Sequence, residues 1–245
     1  MDAPDITVVL PCFNEQDCAE RLTTEICAVL EGLGRSFEVL YVNDASTDQT
    51  AAILERLSAS DPRVRVVHHA VNSGESASTA TGFQQARGQI LITMDSDEQN
   101  DPSSIPDLLA ALEGHDVVCG VRIRREDDWV KRISSRIGNG FRNLITGDRV
   151  ADAGCTFRAL RRQAVAELPV FNGMHRFLPT LLRFQGYRIT EIPVRHRPRT
   201  TGVSKYGIGN RMWRGILDCF AMRWWRRRVV PGRRLEAADE PGRPA

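Results

Sequence analysis

The chain has 245 residues, 42% of them hydrophobic and 26% charged, with a formal net charge of +2. This is the composition of an ordinary globular protein with a sizeable core, and the charge is too small for a generic nucleic-acid binder. Six cysteines, Cys12, Cys18, Cys27, Cys119, Cys155 and Cys219, show no C-x-x-C pair and no Cys/His metal spacing. Neither a zinc site nor a disulfide scaffold is indicated, and reduced thiols in a cytoplasmic protein are the expectation. Met1-Asp-Ala-Pro-Asp5 lacks the basic start and apolar centre of a signal peptide, and no apolar stretch approaches the roughly 18 residues of a membrane helix.

Ile6 to Leu10 is a short apolar run stopped by Pro11, which predicts a buried first strand and then a loop at Cys12-Phe-Asn-Glu15. Ala19, Leu22, Ile26, Val29, Leu30 and Leu33 follow at helical spacing, with Gly34 as a stop signal. Phe37 to Val42 reads as a second strand ending in Asn43-Asp44. Ser46 with Gln49 predicts a capping box for a helix carrying Ala52, Ile53 and Leu57. Val64 to Val67 is a third strand, and Asn72-Ser-Gly74 a turn before an alanine-rich helix that Gly88 ends. Ile90-Leu-Ile-Thr93 is a fourth strand, running into Met94-Asp-Ser-Asp97. Asp101-Pro102 supplies an N-cap and a first-turn proline for a helix with Ile105, Leu108, Leu109 and Leu112 on one face. Asp116 to Val121 is the next strand.

Strand and helix alternating over short links imply a doubly wound, parallel α/β sheet with right-handed crossovers. Glu15, Asp44, Asp95 and Asp97 then all leave strands on one edge, where such sheets bind ligands. Asp95 and Asp97 would repel each other if both were ionised and unpartnered, so a divalent cation gripping a diphosphate is one explanation and a solvated loop the other. Asp44 reads equally as a site residue and as the cap of the helix after it. No G-x-G-x-x-G and no G-x-x-x-x-G-K is present, so a bound diphosphate would depend on metal bridging.

Beyond residue 121 basic residues rise: Arg122, Arg124, Arg125, Lys131, Arg132 and Arg136 lie near Trp129, with helical character from Val130 onward. Asp152-Ala-Gly-Cys-Thr-Phe-Arg158 reads as a loop into a strand. Phe171-Asn-Gly-Met-His-Arg176 reads as a turn before a helix from Phe177 to Phe184, Ile189 to Val194 as an edge strand, and Arg199 to Lys205 as a mobile loop. Trp213, Ile216, Leu217, Phe220 and Trp224 form a helical stripe flanked by Arg211, Arg214, Arg223 and Arg226. Such a stripe is either interfacial on a membrane or packed on the rest of the chain. The expected division is a catalytic domain over 1–210, an amphipathic basic helix over 211–230 and a disordered tail over 231–245.

Five blocks occur in order: Leu10-Pro-Cys-Phe-Asn-Glu15, Val42-Asn-Asp-Ala-Ser-Thr-Asp48, Asp95-Ser-Asp-Glu-Gln-Asn-Asp-Pro102, Asp152-Ala-Gly-Cys-Thr-Phe-Arg158 and Gly202-Val-Ser-Lys205. With them the chain resembles the family 2 glycosyltransferases of the polyprenyl-phosphate branch, which includes dolichyl-phosphate mannose synthases and bacterial undecaprenyl-phosphate sugar transferases. The resemblance spans roughly residues 5 to 220, and the ordered set is far more specific than any one block.

The resemblance implies a GT-A fold: a doubly wound, mostly parallel sheet with a Rossmann-like nucleotide-binding half and a smaller acceptor-side portion. It implies a GDP- or UDP-linked hexose donor, Mg2+ or Mn2+, and transfer with inversion to undecaprenyl or dolichyl phosphate. By position, Pro11, Phe13, Glu15 and Asp44 would hold base and ribose, with Val42 and Ser96 in the same donor set. Asp95, Asp97 and Gln99 would hold metal and diphosphate. Arg122, Arg132 and Ser135 match positions facing the acceptor phosphate, Arg122 also touching the donor, and Lys205 sits in the loop that closes over it. Asp97, Arg122, Arg132 and Asp152 are the expected catalytic set, Asp152 as acceptor-orienting group or base, or else as a turn residue before Gly154. Three positions depart from the family pattern: Asn43 for Asp, Ala45 for Gly and Glu98 for an apolar residue.

The expected location is cytoplasmic, peripheral on the inner membrane face, with a membrane surface or a separate membrane protein as partner. The alternatives are transfer to a glycan or glycolipid hydroxyl, or a non-catalytic nucleotide-sugar-binding module. A Q-x-x-R-W signature of processive synthesis is absent.

Overall fold

The computed structural model describes residues 3–123, 129–198 and 208–228, with the side chains of 129–137 and 208–214 outside that description. Its strands are β1 (Ile6–Cys12), β2 (Phe37–Asn43), β3 (Val64–His68), β4 (Ile90–Thr93), β5 (Val117–Ile123), β6 (Arg158–Arg161) and β7 (Ile189–Arg195). Its helices are α1 (Ala19–Gly32), α2 (Thr50–Ser60), α3 (Glu75–Gln85), α4 (Ile105–Ala111), α5 (Trp129–Thr146), α6 (Met174–Phe184) and α7 (Ile208–Arg226). The strands form one sheet in the order β3-β2-β1-β4-β6-β5-β7.

Alternation along the central strands sorts the core into two layers. Ile6, Val8 and Leu10 of β1 face one way, with Phe37, Val39 and Tyr41 of β2, and meet Leu22, Ile26 and Leu30 of α1, Leu54 of α2 and Leu108 of α4. Val9 and Leu40 face the other way onto Phe83 of α3, Leu178 and Leu181 of α6, and Met222 of α7. This is the period-2 pattern of a strand covered on both sides. Each fully buried leucine or isoleucine stabilises the fold by about 2 kcal/mol.

The sheet is mostly parallel, as the resemblance implied: β6 pairs antiparallel with both β4 and β5 while the other pairings are parallel. After α5 the chain turns through 147–157 at the carboxyl ends of β4 and β5, so β6 starts at that edge and runs back against its neighbours. The capping box at Ser46 and Gln49 does not form. The Ser46 hydroxyl instead accepts from the Asn14 N–H at 3.0 Å, and Asp48 accepts from the Thr50 N–H at 2.9 Å at the start of α2. The Asp101 N-cap does form, its carboxylate accepting from the Ser103 N–H at 3.0 Å.

α7 carries both faces that its sequence allowed. Cys219 and Met222 are buried, and Arg223 and Arg226 donate to the carbonyls of Ile145 and Thr146 at 3.3 Å, closing the C-terminal end of α5. Gly147 makes this approach possible: its φ is +68°, and a Cβ there would lie 1.8 Å from Arg226 Nη1. Leu217, Phe220 and Trp224 stay exposed, beside Phe141 and Leu144 of α5. Among the described residues no helix is long and apolar enough to cross a membrane. All six cysteines are buried and none forms a disulfide. The loop expected over Arg199 to Lys205 and the tail over 231–245 lie outside the described residues.

Candidate functional site

Parallel pairing delivers the expected residues to one edge. Pro11 stands opposite Val42, Cys12 opposite Asn43 and Val9 opposite Thr93, so the segments carrying Glu15, Asp44, Asp95 and Asp97 leave the sheet side by side. β5 brings Arg122 to the same edge, and the antiparallel β6 begins there with Arg158, opposite Thr93 and Cys119.

Asp95 follows β4 directly. Burial, reinforced by the charge of Asp97, pushes its carboxyl up to about 6, against the opposing pull of the Thr156 hydroxyl and the Arg122 and Arg158 guanidinium groups. Asp97 Oδ1 accepts from the Gln99 N–H at 3.2 Å, folding the loop back on itself. Two carboxylates with the Gln99 amide oxygen next along the loop make an all-oxygen, hard donor set that suits Mg2+ or Mn2+. A cation there would relieve the repulsion that raises Asp95. Among the described residues no group of three or more His, Cys, Asp and Glu side chains gathers, so remaining ligands would come from Gln99, a diphosphate and water.

Ser96, expected with the donor, turns the other way. Its hydroxyl is buried and donates to the Pro11 carbonyl at 2.8 Å, tying β4 to β1. Val42 is fully buried, with Val9 under Gly82 of α3, so its side chain belongs to the core. Pro11, Phe13 and Glu15 remain part-exposed at the end of β1.

Asp44 is held on all sides. Oδ1 accepts from the Ser73 N–H at 2.9 Å and pairs with His69 Nδ1 at 2.7 Å, while Oδ2 accepts from the Gly74 N–H at 2.8 Å. It caps a helix, but that helix is α3 on the neighbouring crossover and not α2, the one that follows it in sequence. Asn43, where the family pattern has Asp, is buried and bonds His68 Nδ1 at 2.9 Å. Glu98 has φ +62°, and its side chain is buried and ion-paired with Arg21 of α1. Its negative charge is therefore answered from α1.

Asp152 forms a two-point pair with Arg122, accepting from Nε at 2.7 Å and Nη2 at 2.8 Å, and its backbone carbonyl accepts from the Cys155 N–H in the turn. Gly154 leaves room for this fork, since a Cβ there would stand 2.9 Å from Arg122 Nη2. Asp152 is thus a turn residue and the group that fixes Arg122. Arg132 and Ser135 fall on α5, but their side chains, like Lys205 altogether, lie outside the described residues.

Sequence reasoning passed over Arg158, Thr156, Glu75 and His175, which line a small pocket with Asp95. One signal was available: Arg158 interrupts the apolar run Phe157-Arg158-Ala-Leu160, and a charge inside a buried strand needs a reason.

Residues 7–168 match the family model described as glycosyl transferase family 2. A curated relative, the undecaprenyl-phosphate 4-deoxy-4-formamido-L-arabinose transferase of Edwardsiella ictaluri (strain 93-146), is 37% identical over 206 residues, which is 83% of this chain and 63% of the relative. The chain therefore spans less than two thirds of that protein's length. The crystal structure of glucosyl-3-phosphoglycerate synthase from Mycobacterium tuberculosis with Mn2+ and UDP-glucose is similar with a TM-score of 0.67 at 20% identity, over 93% of this chain and 80% of that one. The same synthase with phosphoglyceric acid gives 0.65 over 93% and 81%. At that identity the likeness speaks for the fold alone, and the fold is GT-A, as the resemblance implied. With the ordered blocks, the strand order and the matched model in agreement, the chain belongs to glycosyl transferase family 2.

Proposed function

We propose that this protein is a metal-dependent, inverting glycosyltransferase that moves a hexose from a UDP- or GDP-linked donor to the phosphate of undecaprenyl or dolichyl phosphate, while seated on the cytoplasmic face of a membrane. The observation that carries the reading is the meeting of two opposite charges at one edge. The Asp95 and Asp97 carboxylates stand where a cation and diphosphate would sit, and the Arg122 guanidinium is close enough to bias the ionisation of Asp95. The polyprenyl-phosphate acceptor named in the curated relative supports the same reading.

The chemistry asks little of a base. A phosphate monoester has a second pKa of about 6, so its oxygen is already an anion at neutral pH and can attack C1 of the hexose without giving up a proton. As that bond forms, the bond from C1 to the diphosphate breaks and its electron pair leaves on the diphosphate oxygen. A bound Mg2+ or Mn2+ would neutralise charge on the departing diphosphate. Arg122 holds the incoming phosphate: its pairing with Asp152 uses Nε and Nη2 and presents Nη1 in a fixed direction. Arg132 and Ser135 belong to the same phosphate-binding set. Pro11, Phe13, Glu15 and Asp44 form the base and ribose side, and Lys205 closes over the donor. Transfer to a hydroxyl is disfavoured because Asp152, the candidate base, is committed to Arg122.

An exposed apolar face supports the membrane seat. Leu217 (65% exposed), Phe220 and Trp224 (58%) on α7 are exposed, as are Phe141 and Leu144 (77%) on α5, the helix that packs against α7, and Arg223, Arg226, Arg227 and Arg228 lie in and just after the last turn of α7. Apolar side chains ringed by arginines match the interface of an anionic bilayer. Labelled UDP- and GDP-hexoses offered with undecaprenyl or dolichyl phosphate and Mn2+ should give a labelled, lipid-soluble product. Label arriving only on a hydroxyl acceptor would overturn the lipid assignment. Tight nucleotide binding without any turnover would leave the binding-module reading in its place.

A further inference from the structure

The segment that leaves β4 alternates in burial: Asp95, Asp97 and Gln99 are part-exposed, while Ser96, Glu98 and Asn100 between them are buried. This is the period of an extended chain, with one side open to a ligand and the other turned to the protein. Each inward residue is fastened to a different element. Ser96 donates to the Pro11 carbonyl of β1 at 2.8 Å, Glu98 pairs with Arg21 of α1, and Asn100 pairs backbone to backbone with His196, the residue after β7. Glu98 is the least comfortable of the three. It is 5% exposed, and its φ of +62° is a left-handed conformation that glycine or asparagine adopts more readily than glutamate. An apolar side chain could be buried there without any partner, so a charge and a strained backbone at this position ask for a role.

The partner of Glu98 is itself held. Arg21 Nε lies 3.6 Å from Glu25, one turn on along α1; Glu25 accepts from Arg197 Nη1 at 2.6 Å, and Arg197 Nη2 donates to Asp101 at 2.9 Å. The Arg197 N–H also donates to the Gln99 carbonyl at 2.8 Å. Acid and base therefore alternate from Glu98 through Arg21, Glu25 and Arg197 to Asp101, and α1 and the segment after β7 grip the loop from outside. Glu98 stands between Asp97 and Gln99 in the chain. Whatever fixes its backbone fixes the neighbouring Cα atoms from which both of those side chains project.

We propose that Glu98 and Arg21 are positioning residues for the cation: their ion pair holds the loop in the conformation that presents Asp97 and Gln99, so the site is shaped before the cation arrives. The inference rests on the metal-dependent reading given above and concerns two residues that do not themselves touch the cation. It is tested by measuring Mn2+ affinity from the EPR signal of free Mn2+, with saturating UDP or GDP, in the parent protein and in variants. Apparent affinity falls with the fraction of molecules whose loop is correctly shaped, so Arg21→Met should bind Mn2+ about tenfold more weakly if it leaves a tenth of them so. The sign is diagnostic. Charge alone predicts the opposite, because removing a positive side chain beside the site would tighten cation binding. Arg21→Lys keeps the pair and should recover most of the affinity. Glu98→Gln keeps the shape without the charge and should show a smaller loss, and Arg21→Met added to it should do less than it does in the parent. Arg21 is 55% exposed; should Arg21→Met nonetheless fail to fold, the loss in Glu98→Gln decides. Unchanged or tighter Mn2+ binding, no recovery in Arg21→Lys, or full additivity of the two substitutions would overturn the assignment while leaving the metal reading intact. A parent protein that binds no Mn2+ with either nucleotide would remove that reading, and this inference with it.

Discussion

The two edges of the sheet both carry buried carboxylates, and they treat them in opposite ways. At the amino-terminal edge Glu38 of β2 accepts from the Thr7 hydroxyl and the Arg65 guanidinium at 2.7 Å and from the Arg87 N–H at 2.8 Å. At the carboxyl-terminal edge Asp95 is part-exposed and faces another carboxylate, and its proton affinity rises. Glu38 holds three connections of the fold together. Asp95 beside Asp97 carries an unfavourable charge that a bound cation would relieve. Asp44 stands at the ligand edge but is built like Glu38, answered from the loop before α3. Position at an edge therefore does not by itself separate structural from ligand-binding carboxylates; the count of internal donors does.

Substitutions test that contrast. The largest effect is expected for Asp97→Asn, which alters a proposed cation ligand and should lower transfer by about a thousandfold, roughly 4 kcal/mol, while the melting temperature holds or rises slightly. A variant that melts early would mean that Asp97 is structural after all. Glu38→Ala should do the reverse. It strands the Arg65 guanidinium and the Arg87 N–H at a cost of about 3 kcal/mol, which in a domain of this size is about 6 to 12 °C of melting temperature. The transfer rate per folded molecule should stay unchanged, and a rate that drops with the stability would break the division between the edges.

Asp44→Ala sits between the two. Freeing the Ser73 and Gly74 N–H groups and His69 should cost about 2 kcal/mol and loosen the start of α3, read as faster amide exchange there. The pH dependence is gentler. Because the Asp95 carboxyl is raised to about 6, the cation-free fold holds that proton more tightly than the unfolded chain. Its contribution to stability is full below the ordinary carboxyl range and is lost as pH rises through about 6. Added Mn2+ competes with the proton, so the thermal stabilisation it gives should be small at pH 5 and grow between pH 5 and 7. A shift independent of pH would place the cation elsewhere. The smallest effect concerns the thiols: burial pushes Cys12 and Cys155 up to about 12, so the native protein should resist alkylation at pH 8 until it is unfolded.

Much of this molecule is legible in its residue order. The apolar runs at Ile6, Phe37 and Ile90 are long enough and flanked clearly enough to be read as strands, and the spacing from Ala19 to Leu33 as a helix. Asp101-Pro102 states its own cap because the whole motif lies within three residues. Local signals failed where a partner came from far along the chain. Ser46 looked like the cap of α2, yet its hydroxyl was taken by Asn14, thirty-two positions away. Asp44 looked like a cap of the helix that follows it, yet its carboxylate holds the loop before α3 on the next crossover.

What the sequence determined by itself is the period of its hydrophobic residues and the order of its motifs, which set the strands, the helices and the family, since both depend on near neighbours along the chain. Only the tertiary structure decided that β6 enters from the ligand edge, that Asp152 is spent on Arg122, that Glu98 turns to Arg21, and that Arg158 is left with open donors beside Asp95. Each of these is a balance of charge and hydrogen bonds across strands that lie far apart in sequence. No spacing rule carries that information, because the energy of a buried charge is fixed by which groups surround it in space.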